Sequence, residues 1–199
     1  MNVVIVKYNA GNTRSMLHAL RRLGVEAQVS DDAQVLRAAD RVIFPGVGEA
    51  STAMQSLRRS GLDGVLPELR QPFLGVCLGL QLLGAFSAEN STRCLSVFDF
   101  KAEKFPASVK VPHMGWNALH FEPHPLFAGV APGAYVYFVH SYYVPVVPET
   151  VATADYPFPF SAAVARDNFY ALQFHPEKSG ETGARILKNF LDIQPGADL

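Results

Sequence analysis

The chain has 199 residues, of which 49% are hydrophobic and 18% are charged. It can therefore bury one sizeable core, and this composition excludes a disordered protein. A net charge of −1 gives no reason to expect a nucleic acid or an anionic membrane surface as partner.

Cysteine content and the N-terminus point to a compartment. The chain has two cysteines, Cys77 and Cys94, which is too few for a disulfide framework and indicates a reducing environment. The first residues lack the pattern of a signal peptide, and no apolar stretch approaches the roughly 20 residues that span a bilayer. The sequence therefore predicts a soluble, cytoplasmic protein with no membrane association.

The first half of the chain alternates strands with helices. Apolar runs predict strands at 3–6, 25–30, 41–44 and 73–76. Asn12 or Thr13 can cap a first helix that Gly24 ends, and further helices are expected at 50–58 and from 78 to about 86. Near-continuous apolar strands separated by helices are typical of a parallel sheet that is covered on both faces.

From about residue 91 the sequence becomes β-rich and is interrupted by prolines. Short strands are expected at 97–105, 116–121, 135–138, 142–147, 150–154, 161–165 and 169–174. A final helix should cover 179–191. With no repeat or linker, we expect one α/β domain over 1–199, with a central mostly parallel sheet flanked by helices and a β-rich antiparallel extension.

The segment Gly75-Val76-Cys77-Leu78-Gly79 has the spacing of a nucleophile elbow. Such a turn brings backbone so close around the nucleophile that side chains at the two glycines would clash. It also places Cys77 at the start of a helix, where unpaired N–H groups favour a thiolate. The alternative is a buried cysteine that only fills a gap.

His175-Pro176-Glu177 supplies the groups that such a thiol needs. In an extended backbone, residues two apart project to the same side, so His175 and Glu177 can meet. His175 would then take the proton from Cys77 and pass it to the leaving amine, while Glu177 would orient the ring. Alone, this tripeptide is weak and fits a surface histidine; with the elbow, it predicts a triad for acyl transfer.

The loop Pro45-Gly46-Val47-Gly48 ends a predicted parallel strand. Function in α/β sheets lies at the carboxyl ends of the strands, so this loop is expected beside Cys77. We predict that the N–H groups of Val47 and Leu78 form an oxyanion hole. The glycines around Val47 allow its peptide to rotate, so the hole could respond to a partner. The simpler alternative is a tight turn.

These motifs, G-V-C-L-G-L-Q-L-L and Q-F-H-P-E-K-S-G, resemble those of the class I (triad) glutamine amidotransferases. The segments 112–117, P-H-M-G-W-N, and 137–142, Y-F-V-H-S-Y, resemble one subfamily, the glutaminase subunits of imidazole glycerol phosphate synthases in histidine biosynthesis. The resemblance covers nearly the whole chain. It implies a flavodoxin-like core, hydrolysis of glutamine to glutamate and ammonia, and a (β/α)₈-barrel cyclase subunit that uses the ammonia in a heterodimer.

The resemblance also implies residue roles. Substrate contacts would come from Gly48, Gln81, Glu89, Ser141 and Tyr142. For Glu89 the alternative is an ordinary solvated carboxylate. The joint with the cyclase would involve Asn12, Ser15, His113, Trp116, Asn117 and Lys178. The histidines and cysteines form no spaced ligand set, so neither a metal nor a cofactor is predicted.

Three alternatives keep part of this interpretation. The same triad could serve anthranilate, guanylate or pyridoxal phosphate synthesis, although P-H-M-G-W-N argues against these. The elbow could instead cleave peptides or γ-glutamyl chains. A protein of another class would be a non-catalytic subunit that only assembles a complex, and the complete triad argues against that.

Overall fold

The strands and helices come from a computed structural model, which describes residues 1–194. The described strands, in chain order, are β1 Val3–Val6, β2 Ala27–Ser30, β3 Arg41–Gly46, β4 Phe73–Cys77, β5 Phe86–Ser87, β6 Thr92–Arg93, β7 Lys101–Lys104, β8 His113–Ala118, β9 Tyr135–His140, β10 Tyr142–Tyr143, β11 Thr150–Asp155, β12 Pro159–Arg166 and β13 Phe169–Leu172. The described α-helices are α1 Thr13–Arg22, α2 Ala33–Arg37, α3 Ala50–Ser60, α4 Leu62–Val65, α5 Leu78–Leu83 and α6 Gly180–Asp192.

A seven-stranded sheet has the order β11-β12-β13-β4-β3-β1-β2. The five strands from β13 to β2 are parallel to their neighbours, whereas β12 and β11 run antiparallel at one edge. The central strands β4 and β3 therefore end side by side, with Gly46 opposite Cys77. This arrangement confirms the predicted α/β fold with a mostly parallel central sheet.

Helices cover both faces of this sheet, because its strands bury side chains on both sides. All four residues of β1 are fully buried, with Val3 and Ile5 in one core and Val4 and Val6 in the other. Helices α1 and α6 pack on the first side, and α3, α4 and α5 on the second. Asn12 caps α1 as predicted, since its side chain accepts a hydrogen bond from the Ser15 N–H.

The β-rich part forms two smaller sheets. One has four short strands in the order β10-β7-β5-β6, and the other is the antiparallel ribbon of β8 and β9. In the ribbon, His113 lies opposite His140 and Trp116 opposite Tyr137. Alternation of side chains along the two strands gives the ribbon a buried inner face and an exposed outer face.

Several predicted boundaries were wrong. Helix α5 ends at Leu83 rather than near residue 86, because Gly84 is extended and the chain then joins the second sheet as β5. The strands expected at 97–105 and 142–147 shrink to β7 and β10. Helix α2 was missed, although its N-cap Asp32 is a recognisable start signal. Within residues 1–194, no helix has the length and apolarity needed to cross a membrane.

Candidate active site

Cys77 sits on a strained turn between β4 and α5. Its φ of 55° and ψ of −107° are unusual for a residue with a side chain, and such backbone typically costs about 1–3 kcal/mol. The turn requires a glycine at position 79, since a Cβ there would lie 2.0 Å from the carbonyl oxygen of Phe44. The turn therefore has the predicted elbow geometry. Gly79 is required by the close approach of β3, and a Cβ at Gly75 would lie 2.8 Å from Cδ1 of Leu83 in α5.

His175 and Glu177 meet as a buried pair. His175 Nδ1 lies 2.9 Å from Glu177 Oε1, and the two side chains are 2% and 3% exposed. The route differs from the prediction: β13 ends at Leu172, and Glu177 belongs to a single 3₁₀ turn, Pro176–Lys178. The contact is thus made by a tight turn and not by alternation along a strand.

The charge state of His175 is set by its neighbours. Burial alone would lower the pKa of this imidazole, but the Cys77 sulfur and the Glu177 carboxylate outweigh burial and raise the pKa to about 10. Nε2 of His175 is buried and makes no hydrogen bond of normal geometry to a described residue. The Cys77 sulfur therefore acts on the pKa of this imidazole as a neighbouring group.

Two other groups hold the sulfur of Cys77. The thiol lies 3.8 Å from the carbonyl oxygen of Val139, and Nε2 of Gln173 donates to Sγ at 3.7 Å. Gln173 is fully buried. Sequence reasoning missed its role, although it stands in the same Q-F-H-P-E segment as the predicted base.

A cavity of about 410 Å³ opens beside Cys77. It brings together the residues predicted to bind substrate with those predicted to form the oxyanion hole. The lining residues are Val47, Gly48, Cys77, Leu78, Gln81, Glu89, Pro112, Val139, His140, Ser141 and Tyr142. Their placement is as expected, while the individual roles of Val47, Gly48, Leu78, Ser141 and Tyr142 stay predictions.

Gln81 and Glu89 are both held in place at the cavity wall. Nε2 of Gln81 donates to the carbonyl oxygen of Tyr142 at 2.9 Å and to Oε1 of Gln173 at 3.2 Å. Oε2 of Glu89 accepts from the Ala50 N–H at 2.7 Å, and burial raises the pKa of this carboxyl. Glu89 is therefore not an ordinary solvated carboxylate.

Tyr8 supports the loop that carries Val47. Its hydroxyl donates to the carbonyl oxygen of Pro45 at 2.8 Å, and its ring packs against Phe44. Burial raises the pKa of the phenol, so it stays a neutral donor. The sequence offered no signal for this contact, because it joins residues 37 positions apart.

Five of the six residues predicted for the partner joint are exposed or half-buried. Trp116 is 55% exposed on the outer face of the ribbon, beside the exposed Met114 and Tyr135, and Lys178 lies over the Tyr137 ring. Asn12 and Ser15 are half-buried at the start of α1.

His113 requires a correction. It is 5% exposed and stacks on Tyr156 beneath the ribbon, so it cannot meet a partner directly. The Asn117 side chain also contacts its own chain and not the outer surface of the ribbon, since it donates a hydrogen bond to the carbonyl oxygen of Asp155. Alternation along β8 places both residues on the inner face.

Comparison with known proteins identifies the family. The family model described as "Glutamine amidotransferase class-I" matches residues 4–193. The chain belongs to the class-I glutamine amidotransferases. Within the part of this amidotransferase that the structure describes, no three His, Cys, Asp or Glu side chains are grouped so that they could hold a metal ion.

Curated relatives agree over nearly their full length. The imidazole glycerol phosphate synthase subunit HisH of Bacteroides fragilis is 57% identical over 97% of this chain and 100% of its own. The protein of the same name from Escherichia coli K12 is 46% identical over 97% of this chain and 100% of its own.

Solved structures support the fold. A crystal structure of a glutamine amidotransferase has a TM-score of 0.76 at 21% identity, covering 96% of this chain and 98% of that one. A second glutamine amidotransferase, from Thermotoga maritima, has a TM-score of 0.64 at 17% identity, covering 96% of this chain and 83% of that one.

Proposed function

We propose that this amidotransferase hydrolyses glutamine through a thioester on Cys77 and delivers the ammonia to the cyclase subunit of an imidazole glycerol phosphate synthase. The supporting observation is a thiol, an imidazole and a buried carboxylate assembled beside a cavity of about 410 Å³. Identity of 57% to the Bacteroides fragilis subunit favours this acceptor over those of other amidotransferases. The free thiols of Cys77 and Cys94 suit a cytoplasmic location.

In the first half of the reaction, the Cys77 thiol gives its proton to His175 and the sulfur attacks the side-chain amide carbon of glutamine. The carbonyl electrons move onto oxygen, and N–H groups of Val47 and Leu78 would stabilise the oxyanion, each donor being worth ~10²–10³ in rate. The protonated His175 gives its proton to the amide nitrogen, the C–N bond breaks and ammonia leaves. In the second half, His175 takes a proton from water, which attacks the thioester carbon. The C–S bond then breaks, glutamate is released and the proton on His175 is again available to the Cys77 sulfur.

The α-amino and α-carboxylate groups of glutamine need partners on the cavity wall. The Glu89 carboxylate would pair with the α-ammonium group. Gln81 and the Ser141-Tyr142 backbone would hold the α-carboxylate. Glu89 is already oriented by the Ala50 N–H, so little side-chain entropy is lost when the substrate binds.

Ammonia that reaches bulk water becomes protonated and useless as a nucleophile, so the two active sites should meet through a closed joint. The outer face of the ribbon suits this joint, because its exposed Met114, Trp116 and Tyr135 continue from Val139 at the cavity wall. Aromatic residues on such faces are common interface anchors. Asn12, Ser15 and Lys178 would extend the joint beyond the ribbon, whereas Asn117 would contribute only by supporting it from below.

The deciding experiment measures glutamate released from glutamine, with the chain alone and with its cyclase and the ribotide ligand of the cyclase. We expect weak hydrolysis alone and at least tenfold stimulation in the complex. The reason is that the cyclase would rotate the Val47 peptide and so complete the oxyanion hole. Cys77→Ala should abolish both activities, while Cys94→Ala, the matched control, should keep them. Absence of glutamate in both states would refute the glutaminase, and equal rates would refute the adjustable hole.

The joint is tested by titrating the cyclase. Trp116→Ala should weaken binding about tenfold or more, as expected for an aromatic anchor. Val146→Ala, which truncates another exposed apolar side chain outside the ribbon, is the control and should bind as the wild type does. Equal affinities of the wild type and Trp116→Ala would remove the ribbon from the joint.

A further inference from the structure

Two buried histidines lie between the ribbon and the substrate cavity. His113 Nδ1 and His140 Nε2 are 3.0 Å apart, and each residue is 5% exposed. Their rings are surrounded by aromatic side chains, with Tyr156 stacked on His113 and Phe160 against His140. The triad does not use either of them.

The hydrogen-bond partners determine which nitrogen carries each proton. His140 Nδ1 lies 2.7 Å from the carbonyl oxygen of Tyr142, which can only accept, so Nδ1 is the donor. In a neutral ring, Nε2 must then accept, and the donor to it is His113 Nδ1. Nε2 of His113 accepts in turn from Nδ2 of Asn117 at 3.4 Å.

Both rings are neutral at physiological pH. Burial lowers the pKa of His113 to about 4 and that of His140 to about 3, and the nearby His113 and His175 add to the effect on His140. The chain of donors therefore runs in one direction, from Asn117 through His113 and His140 to the Tyr142 carbonyl oxygen.

That carbonyl oxygen is held from two sides. Gln81 donates to it at 2.9 Å from helix α5, while His140 donates from the ribbon. With two donors, both lone pairs of the oxygen are occupied. Ser141 and Tyr142 line the cavity, so fixing this peptide fixes part of the cavity wall.

We propose that His113 and His140 are positioning residues that hold the Ser141-Tyr142 backbone in the geometry that binds substrate, and that they thereby set the affinity for glutamine. They act through the Tyr142 carbonyl oxygen and touch no reacting atom. This inference rests on the proposed glutaminase function, since it concerns how tightly glutamine is held.

The test is covalent labelling of Cys77 in the intact chain by the diazoketone analogue of glutamine, with iodoacetamide as a reagent that needs no substrate site. For His140→Phe, which keeps ring volume but removes both nitrogens, the half-saturating diazoketone concentration should rise about tenfold, the loss expected for one buried hydrogen bond. The maximal rate and the iodoacetamide rate should stay within about twofold of wild type.

Two variants separate positioning from general packing. His140→Asn retains a donor near the position of Nδ1 and should recover most of the affinity. Phe160→Leu disturbs the same aromatic cluster without touching a polar atom, so it should lower the melting temperature but leave half-saturation unchanged. Should His140→Phe show no cooperative unfolding transition, His113→Phe takes its place, with an expected rise of about threefold.

The outcomes are distinct. A folded His140→Phe with wild-type half-saturation overturns the inference, as does an equal rise in Phe160→Leu or the absence of recovery in His140→Asn. A wild-type chain that reacts with iodoacetamide but never with the diazoketone removes the proposed function, and the inference falls with it. Saturable labelling of the wild type with no change in any variant removes the inference alone.

Discussion

Two pairs of buried side chains in this amidotransferase contain histidine. The histidine of one pair is charged, and the histidines of the other pair are neutral. His175 pairs with Glu177 behind the Cys77 sulfur, and its pKa is raised to about 10. His113 and His140 pair with each other beneath the ribbon, and their pKa values are lowered to about 4 and about 3. All three imidazoles are almost inaccessible to water.

The difference lies in what each ring can bond to. Glu177 is a charged acceptor, so it stabilises an imidazolium, whereas the Tyr142 carbonyl oxygen and a second imidazole are neutral partners. Burial lowers a histidine pKa unless neighbouring groups compensate, and at His175 these groups are the Cys77 sulfur and the Glu177 carboxylate. The molecule therefore keeps a charged imidazole beside the Cys77 sulfur and neutral hydrogen-bonded imidazoles at the cavity wall.

The largest expected effect comes from removing the charged ring. His175→Asn should reduce glutamine hydrolysis at least ~10³-fold, because the thiol loses its base and the leaving ammonia its proton donor. The measurement is glutamate release in the assembled complex. His120→Gln, at an exposed histidine on the surface, is the control and should remain within about twofold of wild type. A similar loss in both variants would contradict the assignment.

Glu177→Gln tests the charge difference by giving His175 a neutral partner. Activity should fall by about 10²-fold, since the imidazolium then keeps only the Cys77 sulfur as a stabilising neighbour. Folding also raises the pKa of His175 from its ordinary value of 6.5, so its contribution to stability is complete below pH 6.5 and is lost as pH rises through about 10. Chemical denaturation between pH 6.5 and 10 should show this decline in the wild type and a flatter profile in the variant. Identical profiles would show that Glu177 does not set the charge.

The neutral pair of His113 and His140 predicts the opposite dependence of the free energy of unfolding on pH. Folding lowers the pKa values of His113 and His140, so the unfolded chain binds more protons in acid. Their contribution is complete above pH 6.5 and is lost as pH falls towards 4 and then 3. The slope of the free energy of unfolding can reach about 1.4 kcal/mol per pH unit for each titrating ring. In the same denaturation series, His113→Phe should reduce the fall in the free energy of unfolding below pH 6.5 and leave its dependence above pH 6.5 unchanged. An unaltered fall below pH 6.5 would contradict the neutral state of this pair.

These two histidine pairs also differ in how much of them the sequence could predict. Cys77 and the pair of His175 and Glu177 lie in short segments whose glycines and proline impose the local geometry. Even there, the contact between His175 and Glu177 forms through a 3₁₀ turn that the extended-strand argument did not foresee. The predicted substrate residues line one cavity because parallel strands end at the same edge of a sheet.

The pair of His113 and His140 has no local signature. It depends on the register of β8 against β9, which places residues 27 positions apart directly opposite each other. Tyr8 and Gln173 depend in the same way on neighbours far along the chain. The surrounding motif predicted that His113 lies at the joint with the cyclase, but alternation along β8 directs its ring to the inner face of the ribbon. Such contacts follow from strand register. A hydrophobic pattern predicts which face of a strand a residue lies on, but not which residue of the neighbouring strand lies opposite it.

The smallest expected effect is at the far end of the neutral chain of hydrogen bonds. Asn117→Ala removes the donor to His113 Nε2, a contact already long at 3.4 Å, so half-saturation by the diazoketone should rise only about twofold. Asn189→Ala is a matched control, since it also removes two side-chain hydrogen bonds, here to the carbonyl oxygens of Leu126 and Ala128, but Asn189 is not part of this chain of hydrogen bonds. The control should melt at a lower temperature with no change in half-saturation. A tenfold rise in the half-saturating concentration for Asn117→Ala would contradict this. It would mean that the ribbon, and not the Tyr142 carbonyl oxygen, determines the position of the cavity wall.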